Sequence, residues 1–152
     1  MPVFFLLAIA GLALTIYGVI IPTEIRDYFG DKVMDIDTMT VHLGLVKASF
    51  TCIVLICLGG ILFTTAFLLE WMNGPRPFLS FLLLIIPISI FYVIRSVKKL
   101  YSLSKEYIIS QENNSLKDQI INISAHNPKW IMIITQTYSI LSIILLVNKF
   151  LI

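Results

Sequence analysis

Residues 3–21 read VFFLLAIAGLALTIYGVII, a stretch without a single charge. A helix that crosses a bilayer needs about 20 apolar residues, so this stretch predicts a span. It has neither a positive segment ahead of it nor a small-residue cleavage site behind it, which separates a mature span from a secretory signal. Directly after it come residues 22–44, PTEIRDYFGDKVMDIDTMTVHLG, which hold five of the nine acidic residues of the chain. The contrast between these neighbours sets the expected fold, a lipid-embedded helix that opens into a charged loop.

Three further apolar stretches repeat the signal. Residues 48–69 and 78–94 are uncharged, the latter with Pro87 as a tolerated kink. Residues 130–147 form the most polar candidate, with Thr135, Gln136, Thr137, Tyr138 and Ser139 near its start. The whole chain is 58% hydrophobic and 13% charged. Soluble domains run at about 45–50% apolar and about 25% charged, so the bilayer is the natural solvent. The expected fold class is an all-α integral membrane protein with four transmembrane helices, residues 1–152 forming one domain.

Lys and Arg set the expected orientation. Arg26, Lys32 and Lys47 lie in the first long loop, and Arg95, Lys98, Lys99, Lys105, Lys117 and Lys129 in the second. Only Arg76 and Lys149 lie on the other side, a split of nine against two. Both long loops are expected in the cytoplasm and both termini outside, with Trp71 and Trp130 at span ends. A net charge of +2, scattered along the chain, gives no nucleic-acid footprint. Cys52 and Cys57 are five residues apart inside an apolar run, point in different directions on a helix, and read as small hydrophobes. In the second long loop, Ser115 and Asp118 have capping-box spacing, and Leu116, Ile120, Ile121 and Ile123 follow as the apolar face of an interfacial helix. Asn127-Pro128 breaks the chain before the last span.

The chemistry concentrates in residues 22–44. If the first helix continues out of the bilayer, Glu24, Asp27 and Asp31 fall at i, i+3 and i+7, with Asp35 at i+11, on one face. Pro22 is tolerable there at a kink or a first turn. Like charges a turn apart repel, and a lower dielectric raises the cost. A divalent cation removes it, and Mg²⁺ accepts one or two carboxylates plus substrate phosphate oxygens and water. A solvated acidic helix end is the alternative reading. Arg26, Lys32 and Tyr28 are interleaved with the stripe, and the two basic residues are candidates for phosphate contact. For Arg26 the positive-inside bias accounts for the residue equally well.

EIRDYFGDK followed by TMTVHLG resembles the second aspartate-rich motif of the UbiA superfamily of intramembrane prenyltransferases, D-x-x-x-D with a Thr-rich flank and a Gly. Asp27 and Asp31 match the aspartates, and Lys32, Thr38, Thr40, Val41, Leu43 and Gly44 match the flanks. The order of loops and spans is similar to the C-terminal part of that nine-helix family. The resemblance implies a prenyltransferase, or its C-terminal half. Such an enzyme transfers an isoprenoid from its diphosphate to a lipophilic acceptor, a quinone-type aromatic ring being the expected one. Asp27 and Asp31 would be the catalytic pair, Asp27, Asp31 and Glu24 would hold Mg²⁺, and Arg26 and Lys32 would contact the diphosphate. The implied partners are the donor, the acceptor, membrane lipid, and a separately encoded N-terminal half or a second copy of the chain.

Three departures stand out. Asp35 stands near where the family has Gly, and Thr23 stands where an Asn precedes the residue matched by Glu24. The family's first motif, N-D-x-x-D-x-x-x-D, is absent, which leads to the expectation that this chain is the second half of an enzyme. A non-catalytic four-helix membrane protein or lipid-binding subunit is the competing function. His42 in the motif flank reads as a bystander, and His126 as a cap or turn residue. Tyr17, Gln136 and Tyr138 are expected to face the bundle interior, because polar residues in spans usually do. Gly59-Gly60 reads as a point of close helix packing. No zinc-type Cys/His cluster, phosphate-binding Gly-rich loop or Ser-His-Asp arrangement is present.

Overall fold

A computed structural model describes residues 3–72, 85–110 and 113–150. Residues 78–84 of the expected third span and Arg76 lie outside these, as do the side chains of Trp71 and Lys149. The described chain is all-helical: α1 Val3–Val33, α2 Met39–Leu43, α3 Leu45–Met72, α4 Ile85–Ile109, α5 Asn114–Ser124 and α6 Asn127–Phe150. Among the described residues, two helices are long and apolar enough to cross a membrane, at Leu6–Val33 and Leu45–Leu69.

The helices run alternately up and down. Gly11 of α1 lies against Gly59 and Phe63 of α3, whereas Gly18 lies against Leu55 and Ile56, so the two helices are antiparallel. Ser49 meets Ser104 at 3.1 Å and Phe50 stacks near Tyr101, which makes α3 and α4 antiparallel too. Thr15 meets Tyr138, and Thr23 meets Asn127, so α6 runs against α1. One consequence matters for function. The connection after α1 and the segment between α4 and α6 gather at the same end of the bundle.

Small residues let α1 and α3 approach. A Cβ on Gly11 would stand 2.6 Å from the Phe63 nitrogen and 2.8 Å from the Gly59 carbonyl oxygen. A Cβ on Gly59 would overlap Thr15 and the Gly11 carbonyl. Gly60 turns the other way, against Ile90 of α4. Close backbone packing of this kind is the way helices associate where lipid removes the hydrophobic incentive. Thr15 donates to the Gly11 carbonyl at 2.7 Å, which uses its only proton. Tyr138 therefore donates to Thr15, 3.0 Å away, and its ring stacks on Phe63 with centroids 3.8 Å apart. Three helices are joined at that point.

Pro22 sits inside α1, neither at a first turn nor at a helix end. Proline has no N–H, so the carbonyl four residues earlier loses its helical partner. That carbonyl belongs to Gly18, and the thiol of Cys52 in α3 donates to it at 2.9 Å. Cys52 is thus more than a small hydrophobe, since it satisfies a backbone group that the proline leaves open. Cys52 and Cys57 are both free thiols.

At the other long connection, the N-cap of α5 lies two residues earlier than the Ser115 capping box predicts. Asn113 is the N-cap, its side-chain oxygen accepting from the Ser115 N–H at 2.9 Å. Ile120 is buried, and Leu116 and Ile123 pack on the core. The break before α6 is the short turn at Ala125 and His126, with Pro128 in the first turn of α6, where its missing N–H costs nothing.

Candidate functional site

The acidic stretch begins as helix. α1 continues through Pro22 to Val33 without interruption. Glu24, Asp27 and Asp31 therefore do share one helix at the predicted spacing. Asp35 does not extend their stripe. The helix has ended, and Asp35 takes φ 56°, a left-handed conformation that few L-residues adopt. Asparagine and aspartate enter this region more readily than other residues with a Cβ, and glycine enters it freely.

The flank TMTVHLG forms α2 and both of its ends. Thr38 is the N-cap, its hydroxyl accepting from the Val41 N–H at 3.4 Å. Thr40 is buried and donates to Glu24 at 3.0 Å, tying α2 to α1. Gly44 closes α2 with φ 77°, and its N–H donates to the Thr40 carbonyl. His42 is exposed. Each Thr and Gly of the flank thus has a structural task.

The carboxylates differ in their surroundings. Glu24 is half-buried and held by Thr40. Asp27 is exposed and accepts from Arg26 Nε at 3.0 Å. The Asp27 hydrogen bond, then its charge, holds the Arg26 guanidinium above its ordinary pKa. Arg26 in this state is engaged with its neighbour. Asp31 is half-buried one turn beyond Asp27. Lys32 lies over the Tyr28 ring, 5.9 Å from its centroid. Tyr28 meets Phe29 edge-on, and Phe29 in turn meets Tyr107 of α4 and the ammonium of Lys117 in α5. An aromatic buttress thus fixes the rotation of the α1 end against α4 and α5.

Among the described residues, no three of His, Cys, Asp and Glu gather into a metal-holding group. Glu24, Asp27 and Asp31 do not form such a group here, and the Glu24 carboxylate is bonded to Thr40. Asp27 and Asp31 remain as a pair one turn apart.

Of the polar span residues, Tyr138 is buried as expected. Tyr17 is 49% exposed, its hydroxyl 3.4 Å from Met39 Sδ, and Gln136 is exposed. Neither faces the interior of this bundle. Thr23, where the family has Asn, accepts from the Asn127 amide and ties the base of the stripe to the start of α6. His126 is a turn residue, with Nδ1 2.9 Å from the Asn122 carbonyl. An open, mostly apolar groove between α3 and α4 is lined by residues such as Cys57, Gly60, Pro87 and Phe91, away from the stripe. Comparison with protein-family models, with curated proteins and with solved structures gives no match for this chain.

Proposed function

We propose that this chain is the C-terminal part of a UbiA-type membrane prenyltransferase, with four spans and the acidic stretch on the cytoplasmic side. The observation that carries the reading is the placement of Asp27 and Asp31. They stand one turn apart on the continuation of a span-length helix, at the end of the bundle where both long connections converge. The left-handed backbone at Asp35, near where the family has Gly, supports the same reading.

A helix of 31 residues is roughly 46 Å long against a hydrocarbon core of about 30 Å. If the apolar end begins at one face, Asp27 and Asp31 emerge at headgroup height on the other. Two carboxylates suit Mg²⁺ when the donor's diphosphate supplies further oxygens. Bound there, the metal would neutralise charge developing on the departing diphosphate. Arg26 is placed to exchange its partner, releasing Asp27 and pairing with diphosphate instead. Lys32 adds a second positive charge one residue beyond Asp31. Glu24 acts through position, holding α2 against the stripe. The acceptor is a lipophilic, quinone-type ring. The other metal-binding carboxylates would come from the first aspartate-rich motif of such an enzyme.

The test is prenyl transfer by this chain co-produced with the product of the reading frame immediately upstream, with and without Mg²⁺. Activity is expected only with both chains and the metal, and Asp27→Ala or Asp31→Ala should lower it at least a hundredfold. Full activity in the double variant sinks the assignment. One observation favours a second reading, a non-catalytic membrane subunit: Glu24 and Asp27 already have protein partners. That reading predicts a chain that is stable alone and binds no diphosphate.

A further inference from the structure

At the same bundle end, α4 and the α5–α6 turn flank an open cavity of about 210 Å³, lined by Tyr92, Ser96, Lys99, Ile123, His126, Lys129 and Trp130. It shares no residue with the acidic stripe. No carboxylate lines it. Lys99 comes from α4 and Lys129 from the first turn of α6, and neither has a carboxylate partner among the described residues. Lys99 and Lys129 line one small groove with no counter-charge in its lining, and an anion between two ammonium groups offsets their repulsion. His126 donates Nδ1–H to the Asn122 carbonyl, which accepts only, so Nε2 of the neutral ring is an acceptor and the ring lines the cavity without donating to an anion. The Ser96 hydroxyl donates to the Tyr92 carbonyl at 3.4 Å, which leaves its oxygen as an acceptor. Lys99 and Lys129 are thus the two point charges with which a phosphate group can pair.

The level of the cavity matters as well. Phe50 pairs with Tyr101 and Ser49 with Ser104 along α3 and α4. Lys99 therefore stands beside the first turns of the uncharged stretch 48–69, where apolar helix gives way to charge. Tyr92 is exposed beside the cavity, in the manner of a side chain at a membrane–water boundary, whereas Trp130 lines it from the core. We propose that Lys99 and Lys129 form a binding site for a phosphate group, and that an anionic phospholipid headgroup, or a free phosphate reaching the same depth, occupies it. The site stands independently of prenyl transfer.

The experiment uses the full chain, purified in detergent and stripped of lipid. Native mass spectrometry reads binding of phosphatidylglycerol and phosphatidylcholine, and calorimetry reads inorganic phosphate. Each cavity lysine contributes as a basic residue at a membrane surface does, so Lys99→Ala with Lys129→Ala should weaken phosphatidylglycerol binding about thirtyfold. Lys98→Ala with Lys105→Ala, equal in charge but outside the cavity, should change it less than about threefold, a fraction of that cavity effect. Preference for phosphatidylglycerol without phosphate binding identifies the lipid as the source. Phosphate binding with the same lysine dependence identifies the free ion. In a Trp71→Phe background, Trp130 emission should shift on binding, a readout that needs no cavity variant to fold. The proposal is overturned if neither ligand depends on Lys99 and Lys129, if the control pair weakens binding equally, or if Trp130 emission does not respond.

Discussion

The two halves of α1 belong to one unbroken helix yet are held by opposite means. From Gly11 to Gly18 it is pressed backbone to backbone against α3, with hydrogen bonds that close on its own carbonyls or on Tyr138 and Cys52. From Glu24 onward it is held by side chains reaching outward, through the bond of Glu24 with Thr40 and the contacts of Phe29 with Tyr107 and Lys117. The difference teaches where substitutions matter. In the first half a single carbon atom is too much. In the second, the surface is open enough for chemistry.

Glycine gives the sharpest way to break that comparison, because the same change should have opposite signs. Gly59→Ala places a methyl on Thr15 and the Gly11 carbonyl, and should destabilise the protein by about 2–3 kcal/mol. Thermal unfolding in detergent reads this, and an unchanged midpoint would mean that the close approach of α1 and α3 is not real. Cys52→Ala should come next, at about 1–2 kcal/mol, for the lost donor to Gly18 and the small void. Cys52→Ser keeps a donor and should recover most of the loss. Equal instability of Ser and Ala variants would assign the effect to packing alone.

The outer half should respond less. Thr40→Val removes the donor to Glu24 and should cost about 1 kcal/mol. It should also free Glu24 towards Asp27, so Mg²⁺ binding by isothermal calorimetry should not weaken. Weaker Mg²⁺ binding would show that α2 holds the carboxylate in a productive place. Smallest is Gly30→Ala, where nothing lies within 4 Å of an added Cβ. Helix propensity alone should stabilise the protein by about 0.5 kcal/mol. Destabilisation there would mean that the outer half of α1 is covered.

Much of the helical layout is legible in the sequence because lipid and water leave strong compositional marks. The uncharged stretches fall inside α1 and α3, and the stripe from Glu24 to Asp31 lies on a continuing helix at the spacing its numbers require. Gly59 is recognisable as a packing residue. The shortfalls have local causes. Asp35 leaves the stripe because α1 ends two residues earlier, and a hydrophobic pattern does not mark that end. Ser115 and Asn113 are both good caps, and only geometry shows that Asn113 reaches the N–H. Tyr17 and Gln136 are polar on apolar helices, yet their direction depends on which neighbour each helix has. The role of Cys52 required two facts from distant places, a proline in α1 and a thiol facing it from α3.

That thiol has one more use. Its reactivity can serve as a clock for the parting of two helices. Cys52 is fully buried while its sulfur is bonded across to Gly18, so a maleimide can label it only in the moments when α1 and α3 separate. Cys57, half-buried on another face of α3, supplies the internal standard. The ratio of the two labelling rates measures how often this part of the molecule breathes.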